Sequence, residues 1–120
     1  MDTKPFEFSS RKYDDVVILD CKKSITLMEG LTPLMSALKK LFEQGNKFLV
    51  LDLVVTERVD IQGIRKLLEY REEIRRKGGE LKLVRPNLEI KQKFENFGIK
   101  SCATRKEVVA SFKLIEVQNT

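Results

Sequence analysis

Residues 48–63, reading Phe-Leu-Val-Leu-Asp-Leu-Val-Val-Thr-Glu-Arg-Val-Asp-Ile-Gln-Gly, constrain the fold more than any other stretch of the chain. From Phe48 to Val55 almost every residue is Leu or Val, with Asp52 the one polar interruption. An apolar run of that length is the pattern of a strand covered on both faces. A short polar loop follows. Beyond Gly63 the spacing turns helical, with Ile64, Leu67, Leu68, Arg71 and Ile74 on one stripe. Strand, loop and helix N-terminus in that order put Asp60 to Gly63 at the carboxyl end of a central strand, where α/β sheets carry their binding groups. The candidate site is therefore Thr56, Glu57, Arg58, Asp60, Ile61, Gln62 and Gly63.

The flanking segments read as the rest of one α/β layer. Phe6 and Phe8 alternate as in a short edge strand, Tyr13-Asp14-Asp15 supplies turn residues, and Val16 to Leu19 is its hairpin partner. Lys22 to Glu29 is a connection with little pattern. Apolar residues at 31, 34, 35, 38, 41 and 42 predict an amphipathic helix, with Pro33 tolerated in its first turn and Gly45-Asn46 at its end. Gly78-Gly79 stops the helix after the central strand, and Leu81 to Val84 is a further strand. A strand-helix-strand connection of this length implies a parallel, right-handed crossover. Asn87 caps a third helix with Leu88, Ile90, Phe94 and Phe97 inward, closed at Phe97-Gly98-Ile99. An extended piece at 101–103 leads to Thr104-Arg-Lys-Glu107, a capping box that opens a last helix burying Val108, Phe112 and Ile115. On its outer face, Arg65/Glu69, Glu72/Arg76 and Glu73/Lys77 are opposite charges at i, i+4 that support the second helix. The expected class is α/β: a mixed four- to five-stranded sheet in the order ββαβαβα(β)α, with helices mainly on one face and residues 1–120 forming a single domain.

Composition limits the partners. The net charge is +5, but the basic residues lie in scattered pairs and one triplet interleaved with acids, and no aromatic accompanies them as a stacking platform, so nucleic acid is not the expected partner. No run of 18 apolar residues and no basic-then-apolar leader is present, which points to a cytoplasmic protein without membrane insertion. Cys21 and Cys102 stand far apart in a chain without histidine, so they read as free thiols, buried or half-buried, and neither a zinc site nor any other metal or cofactor is expected. Asp52 and Asp60 invite a paired-carboxylate or Mg²⁺ reading, but the corner offers no third ligand, no phosphate-cradling glycine loop and no histidine base. No catalytic residue is assigned, and a nucleotide-sensing corner is disfavoured for the same lack of a glycine-rich loop. Asp60 reads first as a helix N-cap, and Thr56 as a packing or turn residue as well as the loop's one hydroxyl.

Five pieces in order resemble the STAS domain of bacterial anti-sigma factor antagonists: Val50-Leu51-Asp52-Leu53; Val59-Asp60 with Gly63; Gly78-Gly79 with Leu81, Leu83 and Val84; Pro86; and Phe97-Gly98-Ile99. The resemblance runs from about Val16 to Phe112. It implies a non-catalytic, protein-binding regulator of partner switching whose partner is an anti-sigma factor that is also a serine kinase. In that family the corner reads Asp-Ser-x-Gly, and phosphorylation of the serine releases the kinase. Here the serine position is Ile61, and the second threonine position of stressosome-type relatives is Val54, so neither side chain accepts phosphate. A glycine and an acid earlier in the family pattern are replaced by Lys23 and Thr26. The resemblance therefore implies partner binding without phosphorylation at the usual site. An alternative role is a STAS-type cytoplasmic subunit of a membrane transporter ATPase complex. Ile61 itself allows two readings, an apolar contact knob with a polar rim or a residue tucked under the helix.

Overall fold

The computed structural model describes residues 9–118, with side chains described to residue 112. The expected strand positions Phe6 and Phe8 and the side chain of Ile115 lie outside this range. The elements are β1 (Ser9–Tyr13), β2 (Val16–Asp20), α1 (Leu31–Glu43), β3 (Phe48–Asp52), α2 (Ile61–Arg76), β4 (Glu80–Val84), α3 (Leu88–Asn96), β5 (Ser101–Cys102) and α4 (Arg105–Gln118). The five strands lie side by side in sequence order. β1 and β2 are antiparallel, and β2, β3, β4 and β5 run parallel, as the long helical crossovers require. β5 pairs with Leu83 and Val84 alone.

Period-two alternation divides the strands between two cores. Val17, Leu19, Leu49, Leu51, Leu81 and Leu83 face α1, α2 and α3. Val16, Ile18, Val50 and Val84 face α4 through Val108 and Phe112. Three helices thus cover one face and one covers the other. Burying each of these large aliphatic side chains contributes about 1.5–3 kcal/mol, which is why β3, apolar on both sides, sits at the centre of the sheet.

Several expected boundaries move. Tyr13 belongs to β1 and pairs with Val16, leaving Asp14-Asp15 as the hairpin turn, with Asp14 at φ +54°. β3 stops at Asp52 rather than Val55, because the Asp52 carboxylate turns back to accept the Val54 amide and Thr56 N–H closes a turn onto Leu53 O. Leu53 stays buried while Val54 and Val55 are exposed. On α2, Tyr70 rather than Leu68 completes the buried stripe, its hydroxyl donating to Leu38 O, and Arg71 turns to Glu80. The ion pairs formed along α2 are Lys66–Glu69 and Glu72–Arg75, at i, i+3, in place of the i, i+4 pairs expected. Leu88 and Phe97, expected inward on α3, are exposed at its two ends, and Ile90 and Phe94 alone carry its buried face.

The caps follow the sequence. Asn87 Oδ1 accepts Ile90 N–H at 2.8 Å, and Thr104 Oγ1 accepts Glu107 N–H at 3.1 Å. Gly78 takes φ +86° after α2, with Gly79 N–H reaching back to Ile74 O, the paired bonding of a Schellman end.

Cys21 is buried and Cys102 half-buried, both free. Burial pushes the Cys21 thiol up, with Asp52 and Asp20 adding to the shift. A thiol held protonated beneath the sheet edge is unreactive. In native buffer at pH 8, Cys21 is expected to resist a thiol reagent and to label only on denaturation; modification at the rate of a free peptide thiol would contradict its placement.

Candidate functional site

The corner after β3 is held by a second loop lying against it. Ile25 and Val59 form an isolated parallel bridge beyond the ends of β2 and β3. Ile25 N–H donates to Arg58 O at 2.9 Å, Arg58 N–H to Ser24 Oγ at 3.2 Å, and Asp60 N–H to Ile25 O at 3.3 Å. Asp60 is extended, at φ −91° and ψ 175°, the conformation an N-cap requires. Its Oδ1 accepts Gly63 N–H at 2.7 Å and its Oδ2 accepts Leu27 N–H at 3.2 Å. One carboxylate therefore caps α2 and fastens the 24–30 loop to it. Capping alone contributes about 0.5–2 kcal/mol. Gly63 stands where the loops touch: a Cβ there would come within 2.4 Å of Ile25 O.

Exposure separates the sequence-predicted residues into two groups. Glu57, Arg58, Ile61 and Gln62 are exposed, and Asp60 is half-buried with them at the carboxyl edge of the sheet. Ile61 is 49% exposed at the first position of α2, so it is not tucked beneath the helix. Arg58 pairs with Glu29 at 3.5 Å across the loops, a solvent-exposed contact that contributes little to stability. Thr56 and Gly63 lie inside. Thr56 is 2% exposed and its hydroxyl donates to Cys21 O at 2.9 Å, so it serves packing and the turn and leaves the set of surface candidates.

Sequence reasoning missed Leu27 and Met28, which are 61% and 91% exposed on the loop that Asp60 holds. With Val54, Val55 and Ile61 they give one sheet edge five large apolar side chains in solvent, an unusual concentration for surface loops. The available signal was Leu-Met in a segment otherwise without pattern. Between Met28, Glu29, Arg58, Asp60 and Lys93 opens a shallow cleft of about 350 Å³.

The two carboxylates do not form a pair. Asp52, fully buried, faces away from Asp60 into an ionic cluster on the α4 side. Arg85 Nη2 lies 2.6 Å and Arg105 Nε 2.8 Å from Asp52 Oδ2, and Arg105 Nη2 lies 2.5 Å from Asp20 Oδ1. Asp20 Oδ2 in turn accepts the Ser9 hydroxyl at 2.9 Å. Burial pushes the Asp52 carboxyl up, but hydrogen bonds from Arg85 and Arg105 outweigh it and hold the group below its ordinary value. Arg85 reaches this position from the left-handed region, φ +57°, a conformation a non-glycine residue keeps only where its surroundings enforce it. Asp52 thus fastens α4 to the ends of β2, β3 and β4.

Comparison with known proteins agrees with this architecture. A sequence model described as the STAS domain matches residues 7–111. No curated protein matches the chain. Among solved structures, the anti-sigma factor antagonist SpoIIAA in its unphosphorylated form superposes with a TM-score of 0.73 at 14% identity, covering 89% of this chain and 96% of that one. The Thermotoga maritima protein TM1081 gives the same TM-score at 21% identity over 87% of this chain and 92% of its own. The phosphorylated form of SpoIIAA from Bacillus gives 0.67 at 14% identity, over 88% of this chain and 99% of its own. At these identities the likeness speaks for the fold.

Proposed function

The chain belongs to the STAS domain family, and on that premise we propose that it is a non-catalytic, cytoplasmic protein-binding module of bacterial partner switching that engages an anti-sigma factor of the serine-kinase kind. The observation that carries this reading is Ile61. The motif resemblance assigns it the place of the family's phosphoserine, and it is half-exposed at the N-terminus of α2, at the same carboxyl end of the sheet as the exposed Leu27, Met28, Val54 and Val55. A serine there would present a hydroxyl whose phosphate the free helix amides stabilise. An isoleucine offers only apolar area, so the contact is permanent rather than switched by charge. Glu57, Arg58, Asp60 and Gln62 form the polar rim, the usual anatomy of a protein interface. Thr56 is no substitute acceptor, its hydroxyl being buried and donated to Cys21 O.

The test has two parts. After incubation with the partner kinase and ATP, the intact mass is expected to be unchanged; a phosphate on any residue of the corner would end the unswitched reading. Ile61→Asp places a charge at the centre of the apolar face and is expected to weaken partner binding by about tenfold or more, the scale of a central contact residue. Because Ile61 is half-exposed, the thermal midpoint should hardly move, and unchanged affinity would remove the corner from the interface. Should the partner recovered by pull-down be an ATP-binding cassette ATPase, the role as a transporter subunit replaces that of the sigma-factor pathway.

A further inference from the structure

Val54 and Val55 reach solvent because β3 ends at Asp52, and that end is fixed by the bond from Val54 N–H to Asp52 Oδ1 at 3.1 Å. Oδ1 is turned to this amide because the other oxygen is held. Arg85 Nη2 and Arg105 Nε both engage Oδ2, at 2.6 Å and 2.8 Å, and Oδ1 shares only the Arg85 Nε, at 3.2 Å, with Val54. The two arginines are anchored differently. Arg85 opens the loop after β4, whose Asn87 Nδ2 donates to Glu57 O at 3.2 Å, so it belongs to the corner that it braces. Arg105 is the first residue of α4, the one helix on the second face of the sheet, seated there by Val108 and Phe112.

Asp20 and Asp52 are register partners on β2 and β3, which sets two carboxylates side by side, where they repel. Arg105 answers both, with Nη2 on Asp20 Oδ1 and Nε on Asp52 Oδ2. We propose that Arg105 is a positioning residue for the partner face: through Asp52 it fixes Val54 and Val55, so that the seating of α4 sets the shape of the apolar edge presented to an anti-sigma factor. Removing Arg105 leaves Asp52 beside an uncompensated Asp20 and takes one of two arginines from Oδ2; the carboxylate turns, and its hold on the Val54 amide is lost. The inference rests on the corner being a partner face, and it names a residue outside the apolar edge that governs the contact.

In the free protein, Arg105→Ala is expected to shift the amide resonances of Val54 and Val55, while Lys106→Ala, an exposed neighbour on α4, leaves both in place. Arg105→Lys keeps the charge but reaches one acid at a time, and should give the same changes at smaller size. Affinity for the anti-sigma factor, measured well below the thermal midpoint of each variant, is expected to fall about fivefold with Arg105→Ala. In an Asp52→Asn background the same substitution should change affinity by less than about twofold, because the residue acts through that carboxylate. Equal losses in both backgrounds would mean that Arg105 touches the partner itself or merely supports the fold, and would overturn the proposal, as would an unmoved Val54 amide. Ile61→Asp, measured in parallel, separates the two readings. Affinity lost to Ile61→Asp but indifferent to Arg105→Ala overturns the role of Arg105 and leaves the partner face standing, whereas affinity indifferent to both removes the face and this role with it.

Discussion

Replacing Asp52 by alanine is expected to lower folding stability by about 3 kcal/mol, the lower end of the 3–5 kcal/mol measured when one member of a buried ion pair is removed. The lower end applies because Arg85 and Arg105 keep 38% and 26% of their side chains in solvent and can partly rehydrate. In a domain of this size the thermal midpoint should fall by roughly 10 °C. The loss has three components: two guanidiniums without their shared carboxylate, a Val54 amide without its acceptor, and a left-handed Arg85 without its Asp52 anchor. Asp52→Asn keeps an acceptor for Val54 and should cost less. The pH dependence has a definite sign. Asp52 titrates lower folded than unfolded, so its contribution is complete above the unfolded carboxyl value of about 4 and is lost as pH falls through the lower folded value. Denaturant unfolding at neutral and acidic pH checks this: the wild type should lose stability toward low pH more steeply than Asp52→Asn, and parallel profiles would show that the carboxylate is not the group responsible.

Gly63→Ala is the second large effect. In an exposed helix the substitution would stabilise by about 1 kcal/mol, since alanine is the better helix former. Here the new Cβ would lie 2.4 Å from Ile25 O and 3.1 Å from Ile25 Cγ2, and the nearer atom is backbone. Either α2 moves out or the 24–30 loop moves away, and each breaks the bond from Asp60 N–H to Ile25 O and strains the bridge between Ile25 and Val59. Overpacking of this kind costs about 1–3 kcal/mol, enough to reverse the sign of the propensity gain. Chemical denaturation should show Gly63→Ala less stable than wild type. Gly63→Ala more stable than wild type would mean the two loops are not packed as described.

The element order, the parallel pairing of the central strands and the caps at Asp60, Asn87 and Thr104 were legible because each depends on residues within a turn or a strand's length of one another. The corner was legible for the same reason, including the isoleucine at its head. Contacts made over long sequence separations were not. Arg105 meets Asp52 across 53 positions and Arg85 meets it across 33, and nothing in their neighbourhoods marks either as the partner of a buried acid. Asp52 read as a defect in an apolar strand; folded, it is the anchor that ends the strand early and leaves Val54 and Val55 in solvent. Periodicity likewise gave Leu88 and Phe97 to the core, but they fall at the two ends of a nine-residue helix and are exposed, leaving Ile90 and Phe94 as its buried face. Glu80 gathers Arg71 and Arg75, neither of which has an acid four residues away on α2, since a largely buried carboxylate holds an arginine more firmly than one in solvent does.

The two-armed carboxylate of Asp60 has a kinetic consequence. By holding the amides of Gly63 and Leu27 at once, it fixes the 24–30 loop against the start of α2 in the protein on its own. Ordering a mobile side chain on association costs about 0.5–1.5 kcal/mol, and a surface assembled only on contact would bear that cost for each residue it recruits. A face built in advance docks as a rigid body. On the proposed reading of the corner as a partner face, its lifetime in a complex is set by how well Ile61 and its neighbours fit, and its rate of capture by diffusion rather than by folding.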